Sequence, residues 1–554
     1  MKYSIGLDFG TLSGRAVLCE VETGNIIAQA AIDYPHGVID ESLFDKNLPP
    51  DWALQHPQDY LDVLYYIVPE VMKKAHINKE DVIGIGVDFT SCTIVPLNDS
   101  YEPLCFDPAW REEPHAYVKL WKHHAAQRDA DRLREVAQQR NESWLERYGG
   151  RISSEFLFPK LMQILREAPD VYEAASTFME CGDWLVFMLC GAERRSACAA
   201  GYKALWSKSE GYPSNEFFAA LDPRMENVVD EKLSRDIYPL GQRAGYLTAQ
   251  MAERLGLHEN TAVAVNVLDA HVALPAVGIT KPGEMLMIIG TSACDMMLSD
   301  EEKPVKGICG YVDGGILPGY FGYEAGQACV GDHFDWLIRN IIPSSYQSQA
   351  EEQGISIHTL LEQRASQLKV GESGLLALDW WNGNRSVLVD ADLTGLLIGM
   401  NLNTKPEEIY RALIEGIAFG LRKIIEAFID SGIGINTLYA CGGIADKNKL
   451  MMQIYADVTG KDIYISGEPQ TVALGSAIFG AVAAGKTAGG YDDVFEAANM
   501  MSKLQADYYR ANESNKMIYD KLFSEYEKLH DYFGRGGNDV MKRLKSIKTN
   551  AMGQ

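Results

Sequence analysis

Two stretches of the chain set the same reactive residues in the same order. Ile5-Gly6-Leu7-Asp8-Phe9-Gly10-Thr11-Leu12-Ser13 and Met287-Ile288-Ile289-Gly290-Thr291-Ser292 each run an apolar, β-prone segment into Gly-Thr. Further apolar runs follow, Ala16 to Cys19 and Met296 to Leu298, so each stretch reads as a hairpin with glycine at its turn. Glycine lets the backbone approach an anion and aim N–H groups at it, and the hydroxyls of Thr11, Ser13, Thr291 and Ser292 add donors. An opposed pair of such turns could grip one polyphosphate chain. Asp8 stands out in that donor-rich setting, because a carboxylate beside a phosphate is repelled unless a cation lies between them. It reads as an anchor for Mg²⁺, acting through coordinated water. The plainer alternative is ordinary hairpin chemistry with Asp8 satisfying a turn; two copies half a chain apart weigh towards phosphate.

A second carboxylate, Asp269, follows the apolar strand Ala262 to Leu268 and precedes Ala270-His271-Val272-Ala273-Leu274. That places it at the C-terminal end of a strand as a helix begins, where ligand sites of α/β folds gather. It could be a general base taking a proton from a hydroxyl, or an N-cap, and position alone favours the cap. His271, two residues on, is given no chemical role and reads as a satisfied neighbour. The run Ala440-Cys441-Gly442-Gly443-Ile444-Ala445-Asp446-Lys447-Asn448 is a strand, a glycine turn and a helix start, where Gly442 and Gly443 would let a flat base or ribose lie on the backbone. No G-x-x-x-x-G-K-[ST] motif occurs, nor a kinase Gly-rich loop with an H-R-D partner.

These residues need a scaffold. Strand-like runs (Asp81 to Asp88, Thr261 to Leu268, Glu284 to Gly290, Asn436 to Cys441) alternate with helical ones (Pro57 to Ala75, Pro406 to Ile429, Lys447 to Thr459), which predicts an α/β fold. In the helix from Pro406, apolar residues recur at i, i+3 and i+4, and Gly416 and Gly420 on that face permit close packing. At 554 residues the chain exceeds what one core supports. A boundary near Pro275 to Pro282-Gly283 predicts two domains, 1–275 and 276–554, with a cleft between them. The tail from Ala506 to Lys545 keeps a helical period at Tyr509, Ile518, Leu522, Phe523, Tyr526, Leu529 and Phe533; it should dock on the second domain and fray beyond Lys545.

Acidic residues outnumber basic ones 76 to 51, giving a formal charge of −25, which argues against nucleic acid or an anionic membrane as partner. The ten cysteines form no C-x-x-C pair and read as reduced thiols of a cytoplasmic protein. No charged-then-apolar leader and no run of about 18 apolar residues is seen. The sequence leaves a homodimer open.

Taken together, the hairpin pair, the Asp269 segment, the Gly442-Gly443 turn and the segment Ala391-Asp392-Leu393-Thr394-Gly395-Leu396-Leu397-Ile398-Gly399 resemble the FGGY carbohydrate kinases of the actin/hexokinase-like ATPase superfamily. The resemblance covers nearly the whole chain in order. Val87-Asp88-Phe89-Thr90-Ser91-Cys92-Thr93, Ala200-Gly201-Tyr202-Lys203-Ala204-Leu205-Trp206, Glu324-Ala325-Gly326-Gln327 and Asp379-Trp380-Trp381-Asn382-Gly383-Asn384-Arg385 are most similar to members acting on L-ribulose. It implies a two-domain actin-like (ribonuclease H-like) fold closing over a sugar, with ATP and Mg²⁺ entering from the other side. Carried over, it makes Asp269 the catalytic base and Asp8 the metal-side carboxylate. Gly10, Thr11 and Ser13 with Gly290, Thr291 and Ser292 become the phosphate loops, and Gly442, Gly443 and Lys447 the adenosine contact. Ser91, Lys203, Asp269 and Glu324 become the sugar site. From the residues alone, Lys203 reads equally as a snorkelling surface lysine and Glu324 as a structural partner of some arginine. Two departures from the family stand out: Met162-Gln163-Ile164 where a tryptophan is frequent, and Trp121-Lys122-His123-His124 in place of a W-x-D-x-R sugar clamp, which puts D-xylulose in doubt. Other kinases of the family, acting on xylulose, rhamnulose or glycerol, remain rivals, as does an actin-like ATP switch.

Overall fold

The computed structural model describes residues 1–551 and contains two large sheets built on one plan. In the first, the strands lie in the order Arg243–Tyr246, Ala262–Ala264, Val82–Phe89, Tyr3–Phe9, Ser13–Glu20, Ile26–Asp33. In the second, the order is Gly310–Asp313, Phe321–Gln327, Ala293–Ser299, Glu284–Ile289, Thr437–Cys441, Ile463–Ser466, Leu504–Tyr509. Each is centred on one of the predicted hairpins, Tyr3–Phe9 with Ser13–Glu20 and Glu284–Ile289 with Ala293–Ser299, both antiparallel. In each, the first hairpin strand pairs in parallel with a later strand, Val82–Phe89 or Thr437–Cys441, and an antiparallel strand closes one edge. The doubled sequence signal is thus a doubled topology.

Two helices join the sheets. Asp269–Ala276 continues from the first sheet and packs on strand Ala293–Ser299 of the second, whereas Thr471–Ala484 follows the second sheet and lies across strands Tyr3–Phe9 and Val82–Phe89 of the first. The helices also pack on each other. The contact is too close for side chains: a Cβ on Gly6 would sit 1.8 Å from the Ala473 carbonyl, and one on Gly86 1.8 Å from that of Ser476. This explains glycine amid the apolar residues of both strands. The other side of the first sheet is covered by the helix Pro57–Ala75, whose bounds are those predicted.

The helix Pro406–Asp430 is buried along the expected face. A Cβ at Gly416 would lie 2.8 Å from the Ala377 carbonyl and one at Gly420 2.6 Å from Gln327, so both glycines do permit close packing. Between residues 50 and 235 a separate lobe, with its own core around Trp144, Phe158, Phe178 and Phe217, carries a four-stranded sheet that no sequence signal singled out.

Some expectations are corrected. The run Thr261 to Leu268 is two short strands, Ala262–Ala264 and Val267–Leu268, interrupted at Asn266. The helix read from Lys447 is split: Gly443–Lys447 ends before Asn448, which caps Lys449–Thr459 by accepting from the Met451 N–H at 2.9 Å. Tyr509 ends an edge strand, and the tail helix is Glu513–Gly534, burying Tyr519, Phe523, Tyr526 and His530 while Ile518 stays exposed. Beyond Lys545 the chain is helical, Val540–Ala551, tied down by Lys542 to Asp390 at 2.6 Å and Lys545 to Asp392 at 2.7 Å.

Candidate active site

Three carboxylates stand at the same end of neighbouring parallel strands. Asp8 and Asp88 face each other in register, Val267 pairs with Asp88, and Asp269 comes two residues later. Asp8 and Asp88 are buried, and Asp8 lies 3.4 Å from Arg15 Nε. Asp88 accepts from the Ser476 hydroxyl through Oδ2, while its buried Oδ1 has no partner among the described residues. Burial lifts the Asp8 carboxyl against the pull of Arg15, and burial plus the adjacent Asp8 charge push Asp88 well above the ordinary carboxylate range. Asp88 was given no role from sequence; a lone carboxylate inside the apolar strand Val82–Phe89 was the available signal.

Asp269 opens its helix, but the N-cap position belongs to Leu268. The Asp269 carboxylate accepts from the Ala270 N–H at 2.7 Å through Oδ1. Burial first, and the Asp8 charge second, raise it to about 7. That is the range in which a carboxylate trades protons near neutral pH.

Beside Asp269 lies an ion cluster drawn from three distant parts of the chain. Lys203, the last residue of the helix Ala197–Lys203, donates to Glu324 Oε2 at 2.9 Å, and Arg385 donates to Oε1 at 2.7 Å. Lys203 and Glu324 side chains are 6% and 3% exposed, so Lys203 does not snorkel. Glu324 does pair with an arginine, and with Lys203 as well. Burial opposes the Lys203 charge, but Glu324 outweighs it, leaving Lys203 above its ordinary value; Lys203 and Arg385 in turn hold Glu324 well below its own despite burial. His271 Nε2 is 3.5 Å from Glu324, its ring packs 4.2 Å from Tyr202, and its buried Nδ1 has no partner, so it is less satisfied than expected. Burial lowers the ring's pKa against the pull of Glu324. Ser91 sits in the turn after strand Val82–Phe89, next to Cys92, whose thiol feels the Lys203 charge. The sequence alone gives Arg385 no role.

The two hairpin turns match in detail. Gly10 N–H donates to the Ser13 carbonyl at 3.0 Å, and Gly290 N–H to that of Ser292 at 2.9 Å. Neither glycine has positive φ, and a Cβ on either would meet nothing closer than 3.5 Å, so glycine here keeps the turn's outer surface open and is not required by backbone strain. The first turn is braced: Gln55 Nε2 donates to the Thr11 carbonyl at 2.7 Å, Tyr34 Oη to that of Gly10 at 3.0 Å, and Trp121 Nε1 to the Thr11 hydroxyl at 3.0 Å. The two family departures meet each other, His123 Nε2 lying 2.8 Å from Gln163 Oε1. Gly442 differs from the hairpin glycines. Its φ of 100° and a Cβ position 2.4 Å from the Ile289 carbonyl demand glycine, and they seat the Gly442 turn on the strand end that leads into Gly290. Gly443 has open space where a Cβ would be, and Lys447 is exposed.

Duplicated sheets joined by a helix pair, each built round a hairpin with a Gly-Thr turn, define a two-domain α/β fold, with Asp269 and the buried Lys203–Glu324–Arg385 cluster beside one another in it. Residues 3–276 match the N-terminal domain, and 285–484 the C-terminal domain, of the FGGY family of carbohydrate kinases. The chain belongs to that family. A ribulokinase from Bacillus licheniformis is 57% identical over 539 residues, 97% of this chain and 98% of that one. A ribulokinase from Mycolicibacterium smegmatis is 45% identical over 553 residues, 99% and 97% of the two chains. Among solved structures, xylulose kinase from Rhodospirillum rubrum superposes with a TM-score of 0.76 at 22% identity, covering 96% of this chain and 98% of that one, which shows the shared fold.

Proposed function

We propose that the protein transfers the γ-phosphoryl group of ATP to the 5-hydroxyl of L-ribulose, giving ADP and L-ribulose 5-phosphate. The observation that carries this reading is the Asp269 carboxylate, raised to about 7 and held beside the Lys203–Glu324 pair. L-Ribulose as substrate is supported by the 57% identity to a protein named ribulokinase.

Asp269 takes the proton of the 5-hydroxyl as that oxygen attacks the γ-phosphorus in line; the new O–P bond forms as the bond to the bridging oxygen of the β-phosphate breaks. Thr11 and Ser13 from one side, and Thr291 and Ser292 from the other, hold the triphosphate through N–H and hydroxyl donors, while Gly10 and Gly290, whose own N–H groups close the turns, let it approach the backbone. Gly442, Gly443 and Lys447 hold the adenosine end, and Ser91, Lys203 and Glu324 orient the sugar. Asp8 and Asp88, hard oxygen donors one of which is an orphan, fit a divalent cation. Asp8, with Asp88, would hold Mg²⁺, which would supply charge neutralisation to the phosphate oxygens. Residues 1–275 would carry the sugar site, first turn and base, and 276–554 the second turn and adenosine site. The ten free cysteines suit a reducing, cytoplasmic setting.

The test is a coupled ADP-release assay under one condition across L-ribulose, D-ribulose, L-xylulose, D-xylulose, ribitol and glycerol. L-Ribulose should give the highest kcat/KM. Highest efficiency on D-xylulose or glycerol, or ATP turnover indifferent to all six, would replace the reading.

A further inference from the structure

The reaction above leaves Arg385 without a part, yet its surroundings are those of a ligand donor. Its guanidinium makes three contacts: Nη2 to Glu324 Oε1 at 2.7 Å, Nε to the Cys309 thiol at 3.2 Å, and Nη1 to the Cys294 thiol at 3.5 Å. A guanidinium carries five N–H groups, and sulfur is a weak acceptor. One N–H on each terminal nitrogen therefore has no acceptor among the described residues. The Arg385 side chain is 31% exposed, and that of Glu324, which it contacts, 3%.

Glu324 is also only partly used. Lys203 and His271 face Oε2 and Arg385 takes one site on Oε1, whereas an ionised carboxylate offers about four acceptor sites. Free donors on Arg385 thus adjoin a free acceptor on Glu324. That pattern matches a polyol, in which each hydroxyl both donates and accepts and a ketone oxygen only accepts. Pairing with Glu324 cancels the Arg385 charge locally, which suits neutral oxygens better than a phosphate.

We infer that Arg385 is a specificity residue that touches the sugar, donating its two free N–H groups to an oxygen of the ketopentose while Glu324 accepts from a neighbouring hydroxyl. This rests on the ketopentose-kinase reading above. The placement also sets two thiols, Cys294 and Cys309, as the back wall of the guanidinium, where they fix its plane without neutralising it.

The test compares wild type with Arg385→Met and Arg385→Lys in the full-length chain. Arg385→Met leaves Glu324 paired with Lys203, so no buried carboxylate is stranded and the fold should stand. L-Ribulose affinity by titration calorimetry, and KM for L-ribulose and ATP, should show sugar binding weakened by at least about tenfold in Arg385→Met with ATP KM within about twofold, the scale of a lost charged hydrogen bond. Arg385→Lys, keeping a donor without the planar fork, should recover part of the loss; if the methionine variant does not fold, the lysine variant must still bind L-ribulose more weakly than wild type. Unchanged sugar affinity, or a rise in ATP KM without a loss of sugar affinity, would overturn the inference. Wild-type protein that phosphorylates no ketopentose in the same assay would remove the underlying reading instead, on the unaltered chain.

Discussion

Lys203 and Glu324 lie 121 residues apart and meet at 2.9 Å, a buried ion pair in which one partner belongs to the region matching the family's N-terminal domain and the other to its C-terminal domain. Neither charge has water enough to stand alone. Lys203→Met should therefore lower stability by about 2 kcal/mol, less than for an isolated buried pair because Arg385 still faces Glu324. It should also raise the L-ribulose KM by about tenfold or more. Adding Glu324→Gln to it should recover much of the stability and none of the sugar affinity, which urea unfolding and steady-state kinetics would check.

The raised Asp269 carboxyl has two consequences of opposite sense. As a base it works deprotonated, so kcat/KM should rise with pH through about 7. For stability the folded state holds its proton up to about 7 while the unfolded chain loses it near 3.9. That contribution is complete below about pH 4 and is lost as pH rises to about 7. Asp269→Asn, which cannot ionise, should gain melting temperature relative to ligand-free wild type between about pH 5 and pH 7.5. A constant difference between the two melting curves would contradict the raised value.

Gly442→Ala should act on the nucleotide side alone. Its left-handed φ and the 2.4 Å approach to the Ile289 carbonyl force the methyl to displace the strand end before Gly290. ATP KM should rise by about tenfold or more, with L-ribulose affinity changed by less than about threefold. Equal losses for both ligands would mean the Gly442 turn serves the whole fold.

How much of this was legible in the sequence differs by residue. The hairpins, Pro57–Ala75 and Pro406–Asp430 were readable because local periodicity and glycine placement act within one element. The roles of Gly6 and Gly86 were not, because the helix they accommodate, Thr471–Ala484, begins 465 and 385 residues later, respectively. Asp88 and Arg385 were passed over for a related reason: a carboxylate in an apolar strand and an arginine after a tryptophan pair acquire meaning only through partners, Asp8 and Glu324, that the sheet register and the domain seam bring to them. The tail stripe from Leu522 to Phe533 packs as read, and only its start differs, because an edge strand, Leu504–Tyr509, occupies the residues where the helical pattern begins.

The central claim is that Asp269 takes the proton of the sugar hydroxyl. Turnover and L-ribulose affinity of Asp269→Asn, measured together, test it most directly. The account predicts kcat lowered by at least about a hundredfold with the dissociation constant for L-ribulose within a few-fold of wild type. Turnover within about threefold of wild type would contradict it and leave Asp269 a structural carboxylate at a helix start.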